Sequence, residues 1–250
     1  MRKRIRKPPF FRRRPVRIFL WGILALVAVP AAEILVYRFI DPPGTPLMLE
    51  RRYFPEQGRE IRQIRHDSVD LVEVSRSMIF AALAGEDQNF LKHHGFDLPA
   101  IEMALKHNQS HRRKRGASTI SQQTAKNVFL WEWRSWLRKG LEVPLTLAIE
   151  LVWGKRRILE VYLNVAEFGP GVFGIEAAAR YWFQVPAARL SSRQAALLAA
   201  TLPAPLRSDP DRPSSQLAER ASWIEGQMRR MDQRAALDAL GLRKKQVRKK

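Results

Sequence analysis

The chain has 250 residues, a formal charge of +20 at pH 7, 46% hydrophobic residues and no cysteine. This hydrophobic content excludes wholesale disorder, and the lack of cysteine excludes disulfides, Cys-ligated zinc, iron–sulfur clusters and thiol nucleophiles. The charge is concentrated at the two ends, because residues 1–17 hold nine basic residues and residues 241–250 hold six, with no acidic residue in either. The body between them is only mildly basic, so the composition does not indicate a nucleic-acid-binding domain.

Residues 18–37 (IFLWGILALVAVPAAEILVY) form an apolar run that only Pro30 and Glu33 interrupt. A run of about twenty residues is long enough for a helix to cross a bilayer. A cleaved signal peptide is the alternative, because the alanines of this run resemble a small-residue cleavage site. The run exceeds the usual signal-peptide core, so we predict a transmembrane helix. The basic residues before it place the N-terminus in the cytoplasm and the rest of the chain outside the cytoplasmic membrane.

Composition divides the chain into five segments. The stretch 41–46 (DPPGTP) cannot continue a helix and marks a linker after the apolar run. We expect a basic cytoplasmic segment at 1–17, a transmembrane helix at 18–38, a juxtamembrane linker at 39–64, an exported domain at 65–240 and a basic tail at 241–250.

Within the exported domain, apolar spacing predicts helices and the alternation typical of strands is scarce. Gly169-Pro170-Gly171 forces a turn. The predicted helices cover residues 69–84, 118–129, 138–153, 156–163, 175–181, 191–202 and 215–240. The domain is therefore predicted to be mainly α.

The first candidate site lies at residues 86–95 (EDQNFLKHHG), where Glu86 and Asp87 follow an apolar helix. A carboxylate at the end of a buried helix can be partly desolvated, which raises its pKa and makes it a better proton acceptor. The alternative is a solvated helix end with ordinary surface histidines. His93 and His94 are adjacent and lack an i, i+4 partner, so they do not match zinc-site spacing.

The second candidate is a polar stripe on the helix predicted at 118–129. Ser118, Gln122 and Lys126 are spaced at i, i+4 and i+8, and Thr119 and Gln123 form the neighbouring row. Hydroxyls and amides suit sugar hydroxyl and acetamido groups, and a lysine suits a phosphate. Ser118 as a plain helix cap and Lys126 as a solvated residue are the alternatives.

The third candidate combines Arg134, Arg138 and Lys139 with Glu142. A cationic group of this kind can hold a pyrophosphate. A routine i, i+4 ion pair between Arg138 and Glu142 is the alternative, and spacing alone does not decide between them.

These segments together resemble the peptidoglycan glycosyltransferases, the family that polymerises lipid II. Five stretches match the family's motifs in order: residues 86–95, 116–123 (GASTISQQ), 138–142 (RKGLE), 158–169 (ILEVYLNVAEFG) and 195–203 (AALLAATLP). The chain lacks the Ser-x-x-Lys and Lys-Thr-Gly motifs of a penicillin-binding domain. The resemblance is therefore to the monofunctional branch.

The resemblance implies a lysozyme-like, two-lobed fold with a head and a membrane-facing jaw. It implies that Glu86 is the general base that deprotonates the acceptor 4-hydroxyl, and that the β-1,4 bond forms with inversion as undecaprenyl pyrophosphate leaves. Glu142 is implied as a second catalytic carboxylate. The implied substrate-binding residues are Asp87, Phe90, His93, Ser118, Thr119, Gln122, Gln123, Lys126, Arg134 and Arg138.

The resemblance also bears on cofactors, partners and local structure. No cofactor is expected to be essential, and a divalent cation such as Mg²⁺ or Mn²⁺ near Glu142 is left open. The implied partners are lipid II, the growing glycan strand, membrane lipids and proteins of cell division or elongation, with no nucleic acid. Asn164 and Glu160 are expected to hold the fold. Pro144 is expected to bend the helix at Glu142.

The remaining sequence features concern a membrane interface and two alternative functions. The aromatic stretch 129–136 and the basic segment 112–115 suit a membrane interface, with a core role for the tryptophans as the alternative. A lysozyme-like peptidoglycan hydrolase would need a general acid and no cationic cluster for a pyrophosphate. A non-enzymatic membrane-anchored protein that binds polyanions through its basic tails is the other rival.

Overall fold

The protein is described here from a computed structural model, which covers residues 13–54, 61, 63–111, 116–133 and 135–243. Arg134, the basic segment 112–115 and residues 1–12 and 244–250 of the two basic ends lie outside the described residues. What the sequence predicts for those positions stays a prediction.

Helices make up most of the described chain, which confirms the predicted mainly α fold. In chain order they are α1 (Arg13–Tyr37), α2 (Pro46–Tyr53), α3 (Arg76–Glu86), α4 (Leu98–Ser110), α5 (Ile120–Phe129), α6 (Trp136–Val152), α7 (Gly154–Val165), α8 (Ile175–Phe183), α9 (Ser192–Thr201), α10 (Ser215–Arg230) and α11 (Gln233–Ala239). The strands are β1 (Arg65–His66), β2 (Glu167–Gly169) and β3 (Val172–Phe173).

Helix α1 contains the predicted apolar run. Its segment Leu20–Tyr37 is 18 residues long, has a mean hydropathy of 2.0 and is almost entirely exposed on the protein. A helix of this length and composition can cross a bilayer. The base of the helix is fixed to the domain, because Trp153 Nε1 donates to the Ile34 carbonyl at 2.6 Å and Arg157 Nε donates to the Tyr37 carbonyl at 2.9 Å.

The segment expected to be a linker is structured over its described first part, residues 39–54. Thr45 caps α2 by accepting a hydrogen bond from the Met48 amide, and Pro46 occupies the first turn, where its missing N–H costs nothing. Leu47 and Met48 are buried beside Phe173 of β3. Helix α2 is therefore part of the folded body, and the division of the chain into five segments stays a prediction.

The folded domain contains two groups of packed helices, one around the buried helix α3 and one around α5. Residues 78–84 of α3 are fully buried, and α9 and α10 pack against that helix. Helix α5 packs between α6 and α7, and the buried Tyr162 on α7 faces it. A small sheet in the order β1–β3–β2 closes one side, with β1 parallel and β2 antiparallel to β3. The turn between β2 and β3 lies at the predicted Gly-Pro-Gly.

Other predicted elements differ from the structure in detail. The helix expected at 69–84 is a short 3-10 turn (Leu71–Glu73) followed by α3, and the helix expected at 215–240 is divided into α10 and α11. The division occurs because Asp232 leaves the helix and caps α11, accepting a hydrogen bond from the Ala235 amide. Helix α6 continues through Pro144, and the bend expected there stays a prediction.

The exposed side of α6 is apolar. Trp136 is 93% exposed and Leu151 is 87% exposed, and Val143 and Leu147 lie exposed along the same face. Trp133 is also largely exposed, so a core role is wrong for Trp133 and Trp136. Helix α6 packs against α1, and Trp153, which follows α6, donates to the Ile34 carbonyl of α1. The apolar face of α6 therefore lies near the base of α1.

Candidate active site

Glu86 is the last residue of α3 and lies where the sequence predicts a desolvated carboxylate. Gln123 Nε2 donates to Glu86 Oε2 at 2.8 Å, and Arg220 Nη2 lies 3.4 Å from Oε1. The pKa of Glu86 is raised because burial disfavours its charged form, while the bonds from Gln123 and Arg220 oppose that rise. Glu86 thus combines two features that a general base requires: it lines a cavity, and it has a raised affinity for protons.

Asp87 serves a different purpose from its neighbour. Its carboxylate accepts a hydrogen bond from the Ile120 amide at 3.0 Å and contacts His93 Nε2 at 2.9 Å. The His93 Nδ1 atom accepts from the Gly95 amide, so Nε2 carries the proton that points at Asp87. Asp87 therefore joins the end of α3 to the start of α5, and the fully buried Phe90 ring packs edge-on against His93.

The start of α5 is held by a reciprocal cap at Thr119 and Gln122. Thr119 Oγ1 accepts from the Gln122 amide and donates to the Gly95 carbonyl at 2.6 Å, and Gln122 Oε1 accepts from the Thr119 amide. Ser118 is therefore not the cap, and its exposed hydroxyl faces the groove instead. Gly95 has φ +95°, and a Cβ there would meet Thr146 Cγ2 at 3.0 Å, which explains glycine at this position.

Glu142 is a buried carboxylate with a cationic environment. Lys139 Nζ lies 2.5 Å from Oε1, Gln122 Nε2 lies 3.4 Å from the same oxygen, and Arg138 Nη1 lies 3.9 Å from Oε2. The close ion pair is thus with Lys139, and the i, i+4 pair with Arg138 is at the limit of contact. Glu142 ties α5 to α6 and partly balances the positive charge around it.

Lys126 and Arg138 line a cavity beside Glu142, which we call the Glu142 cavity. Burial lowers the pKa of Lys126, and the neighbouring Arg138 guanidinium lowers it further. Among the described residues, Arg138 Nε and Nη1 are buried without a hydrogen-bond partner. Buried donors without hydrogen bonds are costly, and an anionic ligand beside Arg138 would satisfy them.

Two cavities meet at α5. The Glu142 cavity has a volume of about 840 Å³, and a second cavity of about 630 Å³ contains Glu86 and is called the Glu86 cavity. Ser118, Gln123 and Pro203 line both. One continuous groove therefore passes from the buried carboxylate Glu86 to the cations around Glu142.

The structure brings nine of the twelve predicted residues together along this groove. Glu86, Asp87, Ser118, Thr119, Gln122, Gln123, Lys126, Arg138 and Glu142 line one cavity or the other. Phe90 and His93 lie behind the groove and support Asp87. Arg134 lies outside the described residues. The expected structural role of Asn164 is confirmed by its two bonds to the Val69 backbone, and that of Glu160 by its bond to the Leu71 amide.

Sequence reasoning missed Arg220 and Tyr162 as neighbours of Glu86. Arg220 also donates to the Gly85 carbonyl, and the Tyr162 hydroxyl lies 3.2 Å from Gln123 Oε1, which fixes the Gln123 amide with its NH₂ toward Glu86. Gly85 lets α10 come close, since a Cβ there would lie 3.1 Å from Ile224. The pairing of Glu86 with Arg220 spans 134 positions, so no local pattern reveals it.

A buried ion cluster at the edge of the Glu142 cavity was also missed. Arg51 of α2 is 3% exposed and contacts Glu167 at 3.1 Å and Glu132 at 2.5 Å. Burial raises the pKa of Glu167 to about 7, and Arg51 opposes the rise. The proline and threonine at the start of α2 were a signal that could have identified this helix.

The residues around Glu142 do not by themselves fit a divalent cation. Oxygen donors hold such ions, whereas Glu142 is surrounded by Lys139, Arg138 and the Gln122 amide. In the described parts of the chain, no three histidine or acidic side chains gather as a metal site. A cation held mainly by substrate oxygens stays a prediction from the sequence.

Comparison with known proteins agrees with this geometry. Residues 55–229 match the family model described as Transglycosylase. Two proteins of Yersinia pseudotuberculosis named biosynthetic peptidoglycan transglycosylase are each 50% identical to this chain. The one from serotype O:1b covers 86% of this chain and 91% of its own length, and the one from serotype O:3 covers 88% and 93%. A protein of Yersinia pestis strain Pestoides F with the same name is also 50% identical, over 86% of this chain and 91% of its own length. The chain therefore belongs to the transglycosylase family.

Proposed function

We propose that this protein is a peptidoglycan glycosyltransferase that polymerises lipid II into β-1,4-linked glycan strands and releases undecaprenyl pyrophosphate. One arrangement supports the proposal: the partly buried carboxylate of Glu86, whose pKa is raised, lies in the same groove as buried Arg138 nitrogens that lack a hydrogen bond. The names of the relatives, together with coverage of nearly their whole length, support the same activity.

Glu86 is the base in this proposal. It accepts the proton of the acceptor 4-hydroxyl while that oxygen attacks the anomeric carbon of the donor. Gln123 and Arg220 hold the two carboxylate oxygens, so the side chain is oriented before substrate arrives. Attack from the face opposite the leaving group converts the α-linked donor into a β-linked product, which is a single inverting displacement.

Lys126 and Arg138 stabilise the departing pyrophosphate. Negative charge develops on the leaving oxygen as the bond between the sugar and the pyrophosphate breaks. Fixed cations beside that oxygen stabilise the developing charge. Glu142 orients this cluster through Lys139 and Gln122 rather than touching the reacting carbon. Arg134 joins these cations in the proposal on the strength of the motif alone.

The substrate's lipid tail requires the groove to open at a membrane surface. The apolar helix α1 serves as the anchor, and the exposed apolar side of α6 beside it contacts the lipid. The basic residues that precede the apolar run support an orientation with the N-terminus in the cytoplasm and the catalytic domain on the periplasmic side. Proteins of cell division or elongation are proposed as partners from the family's role.

The test uses full-length protein in detergent with fluorescent lipid II, and compares wild type with Glu86→Gln. Wild type should produce long glycan strands. The variant should lose about 10²–10⁴-fold in rate, because glutamine keeps the shape but cannot accept the proton. Glu73→Gln, an exposed carboxylate change outside the groove, is the matched control and should leave the rate unchanged.

Two outcomes would contradict the proposal. Activity that survives Glu86→Gln would show that another group is the base. Shortening of preformed glycan by a wild type that makes no polymer would favour the rival hydrolase.

A further inference from the structure

The Glu86 cavity has an apolar wall that the proposed chemistry does not use. Trp223 lies on α10, one turn after Arg220, and both side chains line this cavity. The Trp223 side chain is 48% exposed although the next residue, Ile224, is fully buried. Because Ile224 packs against Gly85 of α3, the part of α10 that carries the indole lies close to Glu86.

A second helix contributes to the same cavity. Met103 of α4 is 55% exposed and lines it, and the polar pair Asn89–Asp97, joined by a 2.8 Å hydrogen bond, lines the part between α3 and α4. A cavity with an aromatic wall and a few amide and carboxylate groups suits a pyranose ring. Such a ring presents C–H groups on its faces and hydroxyl groups around its edge.

The charges distinguish the ligand of this cavity from that of its neighbour. Of the described residues that line the Glu86 cavity, Arg220 alone is cationic, and its Nη2 contacts Glu86 and the Gly85 carbonyl. Three carboxylates (Glu86, Asp87 and Asp97) line the same cavity, so its described lining favours a neutral sugar over a pyrophosphate. Of the two reactants, the growing strand alone has a long run of sugars remote from any phosphate.

We propose that Trp223 forms a saccharide-binding subsite, in which the indole stacks on a sugar ring of the growing glycan strand and retains the strand between additions. The inference rests on the proposed polymerase function. It adds a positioning residue that determines product length rather than the chemistry of each step.

The experiment compares Trp223→Ala with Trp223→Phe by measuring product length and the initial rate of lipid II consumption. Tyr181→Ala is the matched control, because Tyr181 is 47% exposed and lines neither groove cavity. Stacking of this kind corresponds to about a two- to tenfold change in affinity. Trp223→Ala should shorten the strands by about that factor with a smaller change in initial rate. Trp223→Phe should preserve most of the length.

A direct binding measurement keeps the inference falsifiable if strand length responds to other steps. A soluble tetrasaccharide of alternating N-acetylglucosamine and N-acetylmuramic acid is titrated into full-length protein by calorimetry. Trp223→Ala should bind it about two- to tenfold more weakly than wild type, and Tyr181→Ala should bind it equally well.

The outcomes separate this inference from the proposed function. If wild type polymerises lipid II but Trp223→Ala matches Tyr181→Ala in strand length and tetrasaccharide affinity, the subsite is wrong and the polymerase stands. If Trp223→Phe is as impaired as Trp223→Ala, stacking is also contradicted. If wild type makes no polymer, the proposed function itself fails.

Discussion

The Glu86 cavity and the Glu142 cavity are neighbours of similar size with opposite charge. Three carboxylates are found among the described residues lining each, but Arg220 is the single cation on one side, whereas Arg51, Lys126, Arg138, Lys139 and Arg207 line the other. The two glutamates accordingly meet different environments. Glu86 is held by an amide and a distant guanidinium, and Glu142 by an ammonium at 2.5 Å. The same side chain can thus accept a proton in one place and organise cations in the other.

The largest effect is expected from removal of the Arg138 guanidinium, whose Nε and Nη1 lack a hydrogen bond. We expect Arg138→Ala to lower kcat/KM for lipid II by about 10²–10³-fold, because an aligned charge that stabilises the leaving group is lost. Arg138→Lys should recover part of the rate, since it keeps the charge but not the geometry. Steady-state kinetics in detergent measures both variants.

The matched control for this variant is Arg193→Ala. Arg193 forms an exposed ion pair with Glu225 away from the groove, so its loss should change kcat/KM by less than about twofold. Equal losses in Arg138→Ala and Arg193→Ala would contradict a specific role for Arg138.

An intermediate effect is expected on the Glu86 side. Arg220 opposes the burial that raises the Glu86 pKa, so Arg220→Gln should raise that pKa further. The acid limb of the kcat/KM pH profile should then move to higher pH, with the loss of rate greatest at low pH. A loss that is uniform across pH would show that Arg220 does not act through the ionisation of Glu86.

The smallest effect concerns stability at the edge of the cationic cavity. The pKa of Glu167 is raised from 4.5 to about 7, so the folded protein binds its proton more tightly than the unfolded chain does. That contribution is complete below pH 4.5 and is lost as the pH rises through 7, and it is on the order of 3 kcal/mol. Wild-type Tm should therefore fall between pH 5 and 8 more steeply than that of Glu167→Gln. Parallel Tm curves would contradict the raised pKa.

The predictable parts of the molecule were those encoded by local spacing. Apolar periodicity located most helices, and the motif residues Glu86, Gln122, Gln123 and Lys126 converge on the groove as their spacing on the end of α3 and on α5 implies. The start of α5 differs from the prediction, because Thr119 rather than Ser118 is the N-cap. Thr45-Pro46 is a typical helix start, and it could have predicted α2, but the neighbouring prolines favoured the interpretation as a linker.

The remaining features depend on contacts between distant parts of the chain. Arg220 reaches Glu86 only because α10 packs on α3, and Arg51 reaches Glu167 across 116 positions. Neither residue stands in a pattern that marks it as part of the site. The same is true of Trp223, whose place in the cavity follows from the position of α10.

The different roles of the two cavities are tested most directly by measuring how tightly the product undecaprenyl pyrophosphate binds in the absence of catalysis. Undecaprenyl pyrophosphate is titrated into wild type, Glu86→Gln and Arg138→Ala. Glu86→Gln should bind it as wild type does, within about twofold, because the base does not contact the pyrophosphate, whereas Arg138→Ala should bind it at least about tenfold more weakly. Weakened binding by Glu86→Gln with unchanged binding by Arg138→Ala would contradict the account.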